Sequence, residues 1–145
     1  MNYQRLNSKK GGKIIMKLNL SNERIVNTIN VLGELSNAKL PVKVAYAITK
    51  NINKINTELK AYNDEKVKLI DKYAEKDGEG KLKVDEKGII PLKEEHIEDY
   101  NRDIKELLSI ENEIDIHMIN LDDLLNSNYN ISPADLSAID FMIND

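Results

Sequence analysis

The chain has 145 residues, a formal net charge of −4, 41% hydrophobic residues and 32% charged residues. It contains no cysteine, which excludes disulfides, thiolate metal sites and cysteine nucleophiles. No apolar run approaches the roughly 20 residues that a membrane-spanning helix needs, and the apolar run at 14–16 is too short for a signal peptide. We therefore expect a cytoplasmic protein that does not bind membranes.

Residues 1–15 are predicted to be a non-native or flexible extension that precedes a natural start at Met16. Residues 9–13 read Lys-Lys-Gly-Gly-Lys, and codons for Lys and Gly can spell a purine-rich ribosome-binding sequence shortly before Met16. Residues 1–13 also lack a periodic apolar face. A genuine flexible tail is the alternative, and the nucleotide sequence before codon 16 distinguishes the two. Residues 16–145 are predicted to form one helical domain.

The first elements after Met16 are predicted to be a short strand over 17–20 and a helix over 22–36. Ser21 is a suitable cap for that helix, because its side chain can accept a hydrogen bond from a free amide of the first turn. The apolar residues of the helix recur every three or four positions, which indicates one buried face: Ile25, Ile29, Leu32 and Leu35.

The longest periodic pattern predicts a helix over 41–76, with Pro41 in its first turn. Its apolar stripe alternates spacings of three and four and is interrupted only at Lys66; its members are Ala45, Ile48, Ile52, Ile55, Leu59, Tyr62, Leu69 and Tyr73. Gly78 and Gly80 are expected to end the helix.

A β-hairpin is predicted next, with strands 81–84 and 89–92 around the loop 85–88. A second helix, over 93–109, continues the three-four spacing. A short connection favours antiparallel packing of the two helices, with Tyr73 near Ile97, Leu69 near Tyr100 and Tyr62 near Leu107. Residues 41–109 are thus predicted to form a coiled-coil arm with the hairpin at its tip.

The remaining segment alternates between apolar and polar residues and then returns to a helical pattern. Ile114, Ile116 and Met118 predict a strand with one buried face. Residues 121–129 are expected to be a turn or short helix, and Ser132 followed by Pro133 predicts the start of a helix over 133–143. The predicted fold is α+β and mostly helical: a long antiparallel helical hairpin, a β-hairpin at its tip, a short strand, and terminal helices packed together.

Charge is divided unevenly along the sequence. Residues 1–93 hold 19 basic and 11 acidic side chains, whereas residues 94–145 hold 2 and 14. The asymmetry could reflect pairing inside the arm, where lysines 66, 68 and 72 would face the second helix, or it could mark binding surfaces. The candidate partner-binding residues are Lys39, Lys43, Lys50 and Lys54 in the first part and Glu94, Glu95, Glu98, Asp99 and Asp103 in the second.

Residue types that carry chemistry are scarce. His96 has no second histidine at the spacing of the zinc-protease helix, and His117 is expected on the polar face of a strand. The segment 77–80 lacks the acidic ladder of a calcium loop, and no glycine-rich phosphate loop precedes a helix. We therefore predict no catalytic residue, no metal site and no cofactor, and we do not expect an enzyme.

From Met16 onward the chain resembles a widespread family of small phage and prophage proteins known only as a domain of unknown function. The resemblance extends over residues 16–143 and is carried by these segments: Met16-Lys-Leu, residues 39–48, residues 69–78, Ile114-Asp-Ile-His, and residues 131–136 through Phe141-Met. It implies a phage origin and a location in the host cytoplasm. Members usually begin at the equivalent of Met16, and the family supplies no catalytic residues.

Three functions are consistent with these observations, and all of them depend on binding. The first is a phage accessory protein that disables a host defence nuclease of the CRISPR type, with the acidic second part blocking a nucleic-acid channel. The second is a structural, tail-assembly or chaperone role in the phage particle. The third is nucleic-acid binding through the lysines at 39–54, which is weakened by the lack of aromatic residues for base stacking. Homo-oligomerisation stays open.

Overall fold

The computed structural model describes residues 4–7 and 14–144, with side chains from residue 15 onward. Its elements in chain order are β1 Gln4–Asn7, β2 Ile14–Ser21, α1 Asn22–Ser36, α2 Val42–Tyr73, α3 Ile97–Ser109, β3 Glu111–His117, β4 Ile119–Asn120, α4 Leu121–Leu125, α5 Pro133–Ile139 and β5 Ile143–Asn144. The fold is α+β and mostly helical, as predicted. Among these elements no helix combines the length and the apolar character that crossing a membrane requires.

The chain divides into two compact units, one of residues 1–59 with 111–145 and one of residues 60–110. The predicted arm, 41–109, therefore does not coincide with a unit. Residues 41–59 of the arm group with the first unit, because α2 supplies core residues there, including Val44, Ile48 and Ile55.

In the first unit the sheet has the order β1-β2-β3 and is antiparallel throughout. The alternation predicted for the third strand is confirmed at its centre, where Ile114 and Ile116 are buried while Glu113 and Asp115 are exposed. The predicted third member, Met118, lies after the end of β3 and is only partly buried. The second strand, predicted over 17–20, extends over Ile14–Ser21. Among the side chains described in this strand, Leu18 and Leu20 are buried.

The predicted N-terminal extension, 1–15, lies only partly within the described residues. Gln4–Asn7 forms β1 and pairs with the start of β2, from Gln4 opposite Lys17 to Asn7 opposite Ile14. Residues 1–3 and 8–13 lie outside the described residues. The start at Met16 stays a prediction.

The first helix begins and ends where the sequence predicts. The Ser21 hydroxyl accepts a hydrogen bond from the Arg24 amide at 3.1 Å, which satisfies one of the free donors of the first turn. Ile25, Leu32 and Leu35 are almost completely buried. The apolar face predicted for α1 is confirmed.

The long helix α2 begins after Pro41 and ends at Tyr73, before Gly78 and Gly80. Its buried face in the first unit consists of Val44, Ala47, Ile48, Asn51 and Ile55. The prediction of Ala45 on this face was wrong, since Ala45 is exposed. Rotating the helix to bury Val44 in place of its neighbour removes more apolar surface from water.

Asn51 fastens α2 to the outer edge of the sheet. Its side-chain amide is fully buried, donates to the His117 carbonyl oxygen at 2.9 Å and accepts from the His117 amide at 2.8 Å. This reproduces the pair of bonds that a neighbouring strand would make. One step toward the middle of β3, Lys54 Nζ donates to the Asp115 carbonyl oxygen at 2.7 Å. The side chains of α2 thus occupy edge groups that would otherwise be open to another strand.

The C-terminal segment packs on α1, as predicted. Arg24 Nη2 donates to Asp140 Oδ1 at 2.6 Å and to the Ser137 carbonyl oxygen at 3.0 Å, and its guanidinium lies 5.2 Å from the centroid of the Phe141 ring. Ser132 caps α5, again as predicted.

The helix predicted over 133–143 is shorter than expected. It ends at Ile139 and continues as a 3-10 turn over Asp140–Met142, after which β5 pairs in parallel with β4. Ile139 and Phe141 would lie on opposite faces of a continued α-helix. Both are buried, and the tighter turn makes this compatible with the core.

In the second unit, residues 77–81 and 85–89 form the same five-residue turn twice. In the first copy, Asp77 Oδ1 accepts from the amides of Glu79 and Lys81, and Gly80 has a φ of 80°. In the second, Asp85 Oδ1 accepts from the amides of Lys87 and Ile89, and Gly88 has a φ of 79°. The predicted loop 85–88 is therefore present.

The strands predicted around that loop pair differently from expectation. Leu82 bridges Lys76 and Leu92 bridges Ala74, so residues 81–84 and 89–92 each pair with the segment that follows α2. The first copy of the turn explains this result, because it folds residues 81–83 back on 75–77 before the second turn begins.

The second helix, predicted over 93–109, consists of a 3-10 turn over Glu94–His96 followed by α3. Tyr73 is buried and meets this segment at three side chains: His96 and Tyr100, with ring centroids 5.6 and 6.3 Å away, and Asp103, which accepts from the Tyr73 hydroxyl at 2.6 Å. Burial raises the pKa of Tyr62, and the electrostatic effect of Tyr100 raises it further. The unit's buried residues are few: Tyr62, Tyr73, Ala74 and Leu107.

Candidate functional site

The four candidate lysines of the first unit differ in their surroundings. Lys54 is partly buried and donates a hydrogen bond to the Asp115 carbonyl oxygen, so it already has a partner within the first unit. Lys39 and Lys43 are exposed. Lys50 is also exposed, with its Nζ 5.5 Å from the centroid of the Tyr46 ring, at the distance of a cation–π contact.

Two large apolar side chains lie among these lysines on the solvent-facing side of α2. Val42 is 84% exposed and Tyr46 is 44% exposed. Val42, Tyr46 and Lys50 succeed each other at intervals of four, which places them one above another on the helix. The Tyr46 ring also makes an edge contact with His117 at 6.1 Å, so its position is fixed from two sides. We call Lys39, Val42, Lys43, Tyr46 and Lys50 the lysine surface.

The candidate carboxylates of the second unit fall into two groups. Glu94, Glu95 and Glu98 are exposed at the turn that leads into α3, and we call them the acidic turn. Glu95 Oε1 lies 3.6 Å from His96 Nε2. Within the described part of the chain, Glu94 and Glu98 have no basic side chain at ion-pair distance.

Asp99 and Asp103 form ion pairs within α3. Arg102 lies 3.0 Å from Asp99 and 3.2 Å from Asp103, and the Tyr73 hydroxyl donates to Asp103. The Tyr73 hydrogen bond, followed by the hydrogen bond and charge of Arg102 and the charge of Lys72, lowers the pKa of Asp103. Asp103 is thus committed to contacts inside the unit, whereas Asp99 forms an exposed ion pair with Arg102.

One interpretation of the charge asymmetry is that the lysines of α2 pair with the acidic residues of α3. Few contacts of this kind are present among the described residues. Lys68 pairs with Glu65 in its own helix at 2.8 Å, and Lys72 Nζ lies over the Tyr73 ring. In the residues that the structure covers, no ion pair joins lysines 66, 68 or 72 to the acidic residues of α3; the charge of Lys72 acts on Asp103 without a direct contact.

The asymmetry nevertheless nearly disappears when charge is counted by unit. Residues 60–110 hold 11 basic and 14 acidic side chains, a net of −3, and the other residues hold 10 and 11, a net of −1. Neither unit is therefore strongly charged as a whole, and the uneven charge appears only on small parts of the surface. The acidic turn and the lysine surface are two such features.

Neither histidine lies in a cluster of metal ligands. Over the described ranges, no group of three or more His, Asp or Glu side chains is arranged to hold a metal ion. An open depression of about 500 Å³ is lined by Glu75, Lys93, Glu94 and Glu95. It adjoins the acidic turn.

The sequence analysis did not predict the exposure of Val42 and Tyr46 or the buried contact of Asn51 with β3. A sequence signal for the exposure of Val42 and Tyr46 exists, because both lie on the side of the helix opposite to Val44 and Ile48. The predicted buried stripe contains Ala45 in place of Val44 and therefore does not use this signal. Asn51 carries no signal, because an isolated Asn within a helix does not indicate which backbone groups it will meet.

Comparison with protein-family models, with curated proteins and with solved structures found no match to the chain.

Proposed function

We propose that the chain is a phage-encoded accessory protein that acts by binding a macromolecular partner, and that the partner is a host defence nuclease of the CRISPR type, which it inhibits. In this proposal the acidic turn docks on the positively charged surface where the nuclease holds nucleic acid. The chain needs no catalytic residue or cofactor for such a role.

The observation that carries the proposal is the state of the carboxylates at 94, 95 and 98. They are exposed, and Glu94 and Glu98 are not neutralised by the lysines of α2. Guided nucleases hold their heteroduplex in a basic channel. Complementary charge accelerates the encounter with such a surface and disfavours acidic partners. Exposed carboxylates at a helix start imitate part of the charge of a nucleic-acid backbone.

A cleavage assay tests the proposal directly. A host RNA-guided nuclease is preincubated with the protein, and cleavage of its target DNA is followed. We expect inhibition by the natural chain and about ten-fold weaker inhibition after Glu94→Gln, Glu95→Gln and Glu98→Gln together, since rim charges govern mainly the rate of encounter. The control is Glu34→Gln, Glu79→Gln and Glu86→Gln, which removes the same charge from other exposed positions.

An assembly role is the alternative, and recovery from infected cells separates it. If the tagged chain recovers capsid or tail proteins and no defence nuclease, and if cleavage is unaffected at saturating protein, the inhibitor proposal fails and the assembly role is favoured.

Nucleic-acid binding is a weaker third candidate, because Lys54 is already engaged by the Asp115 carbonyl oxygen. Its test is retention on RNA or DNA at low salt, which should fall steeply as salt rises. Absence of binding at low salt excludes it.

A further inference from the structure

We infer that the lysine surface of one molecule binds the acidic turn of a second copy, so that the chain associates with itself head to tail. This contact is independent of the identity of the host partner. It assigns a function to the exposed side chains of Val42 and Tyr46 at the start of α2, which the proposed function leaves unexplained.

The lysine surface has the composition of a protein-binding surface. Val42 is the most exposed large apolar side chain of the described residues, and the partly exposed Tyr46 ring is held between Lys50 and His117. An aromatic ring that is already positioned loses little conformational entropy on binding. Tyrosine surrounded by basic side chains suits a partner with an apolar centre and an acidic rim.

The second unit presents such a surface. Ile97 is 40% exposed at the start of α3, three residues after Glu94 and one before Glu98 in the sequence. An apolar side chain flanked by carboxylates is the counterpart of an apolar pair flanked by lysines. Complementary charges would also set the register of the contact.

The signs of the charges decide which arrangement forms. If the lysine surface met the lysine surface of a second copy across a two-fold axis, Lys39, Lys43 and Lys50 would lie close to the same lysines and repel them. A contact between the two different surfaces removes this repulsion. We infer the head-to-tail form, in which each molecule uses its lysine surface on one neighbour and its acidic turn on another, so that the contact can continue from one molecule to the next.

The association is expected to be weak and sensitive to salt. A few side chains on each surface bury less area than the roughly 800 Å² per partner of a stable interface. Sedimentation velocity should show a mass that rises with protein concentration at about 0.01 M ionic strength, where the Debye length is about 30 Å, and monomers at about 1 M, where it is about 3 Å. Concentration dependence distinguishes contacts between molecules from contacts within one.

Charge reversal gives the decisive test. Variant A carries Lys43→Glu and Lys50→Glu, and variant B carries Glu94→Lys and Glu98→Lys; all four positions are exposed. Each variant alone should be monomeric at low salt. An equimolar mixture of A and B should associate again, because each now matches the other, and a chain with all four reversals should associate with itself.

The matched control is Lys81→Glu with Lys87→Glu, which changes net charge as variant A does but lies in the turns of the second unit. It should associate like the natural chain, and Val42→Ser should weaken association without changing net charge. Circular dichroism confirms that each variant is folded. A natural chain that is monomeric at every concentration at low salt overturns the inference, as does a mixture of A and B that does not associate. Variant A retains the acidic turn, so nuclease inhibition by variant A tests the proposed function separately.

Discussion

At the scale of single residues, the strongest local constraint is the amide of Asn51. It lies within a helix, yet both of its polar atoms bind the backbone of one residue in β3, so the helix and the strand fix each other. A buried polar group with complete partners costs little, whereas losing those partners leaves backbone groups unsatisfied.

We predict that Asn51→Leu lowers the free energy of unfolding by about 1–3 kcal/mol, because the amide and carbonyl of His117 lose their partners. Urea denaturation measures the loss, and hydrogen exchange should show faster exchange of the His117 amide. Asn53→Leu, at an exposed position of the same helix, is the control and should change stability by less than about 0.5 kcal/mol. Equal effects of the two substitutions would contradict the role assigned to Asn51.

The hydrogen bond between Tyr73 and Asp103 predicts a defined pH dependence. The pKa of Asp103 is lowered in the folded state, so its contribution to stability is present above the unfolded-state pKa and is lost as the pH falls through the folded-state pKa. Tyr73→Phe should therefore raise the pKa of Asp103 and reduce stability at pH 7 more than below about pH 3. Carboxyl NMR titration and urea denaturation at both pH values check this. A pKa of Asp103 unchanged by the substitution would be the contrary result.

At the scale of elements, the two Asp-X-X-Gly-X turns explain the connection between α2 and α3. Each needs an Asp side chain that accepts two amides and a residue at positive φ, and only glycine adopts that conformation without strain. The repeat of the pattern eight positions later is visible in the sequence. The prediction of a helix stop followed by one hairpin accounts for the second turn only, since it treats Gly78 and Gly80 as helix breakers.

Two glycine substitutions should have opposite effects. Gly88→Ala should destabilise the chain by about 1 kcal/mol, because alanine is strained at the φ of 79°. Gly33→Ala should stabilise it by about 0.5–1 kcal/mol, because Gly33 lies within α1 and an added Cβ meets no atom within 4 Å. Thermal unfolding measures both changes. Shifts of the same sign would show that backbone conformation does not decide the outcome.

The helices and strands were largely predictable because local signals specify them. Ser21 and Ser132 mark helix starts, and the alternation around Ile114 marks a strand. The end of α5 was not predictable, because it depends on burying Phe141 against residues far away in sequence. The pairing of β2 with β3 was equally out of reach, since nothing near either strand indicates its partner.

At the scale of the whole molecule, the candidate residues fall into two groups: those that make contacts within the fold and those that are exposed. Lys54 and Asp103 are candidates because of their charge, but both make hydrogen bonds within the fold, and Asp99 forms an ion pair with Arg102 on the surface. Glu94, Glu98, Lys43 and Lys50 are exposed, as a binding role requires. The sequence indicates where charges accumulate, while only packing decides which of them remain free to meet another molecule.

The pairing of β2 with β3 also constrains when the first unit can fold. β2 ends at Ser21 and β3 begins at Glu111, and the core is complete only with Phe141 and Met142. At about 5–20 residues per second, the apolar residues of β2 and α1 wait roughly 5–20 s on the translating ribosome before their partners emerge. Residues 60–110 are contiguous, so the contacts within the second unit need no residue that emerges after position 110. We expect these apolar residues of β2 and α1 to stay exposed for that time, which is the condition under which chaperones bind newly made chains.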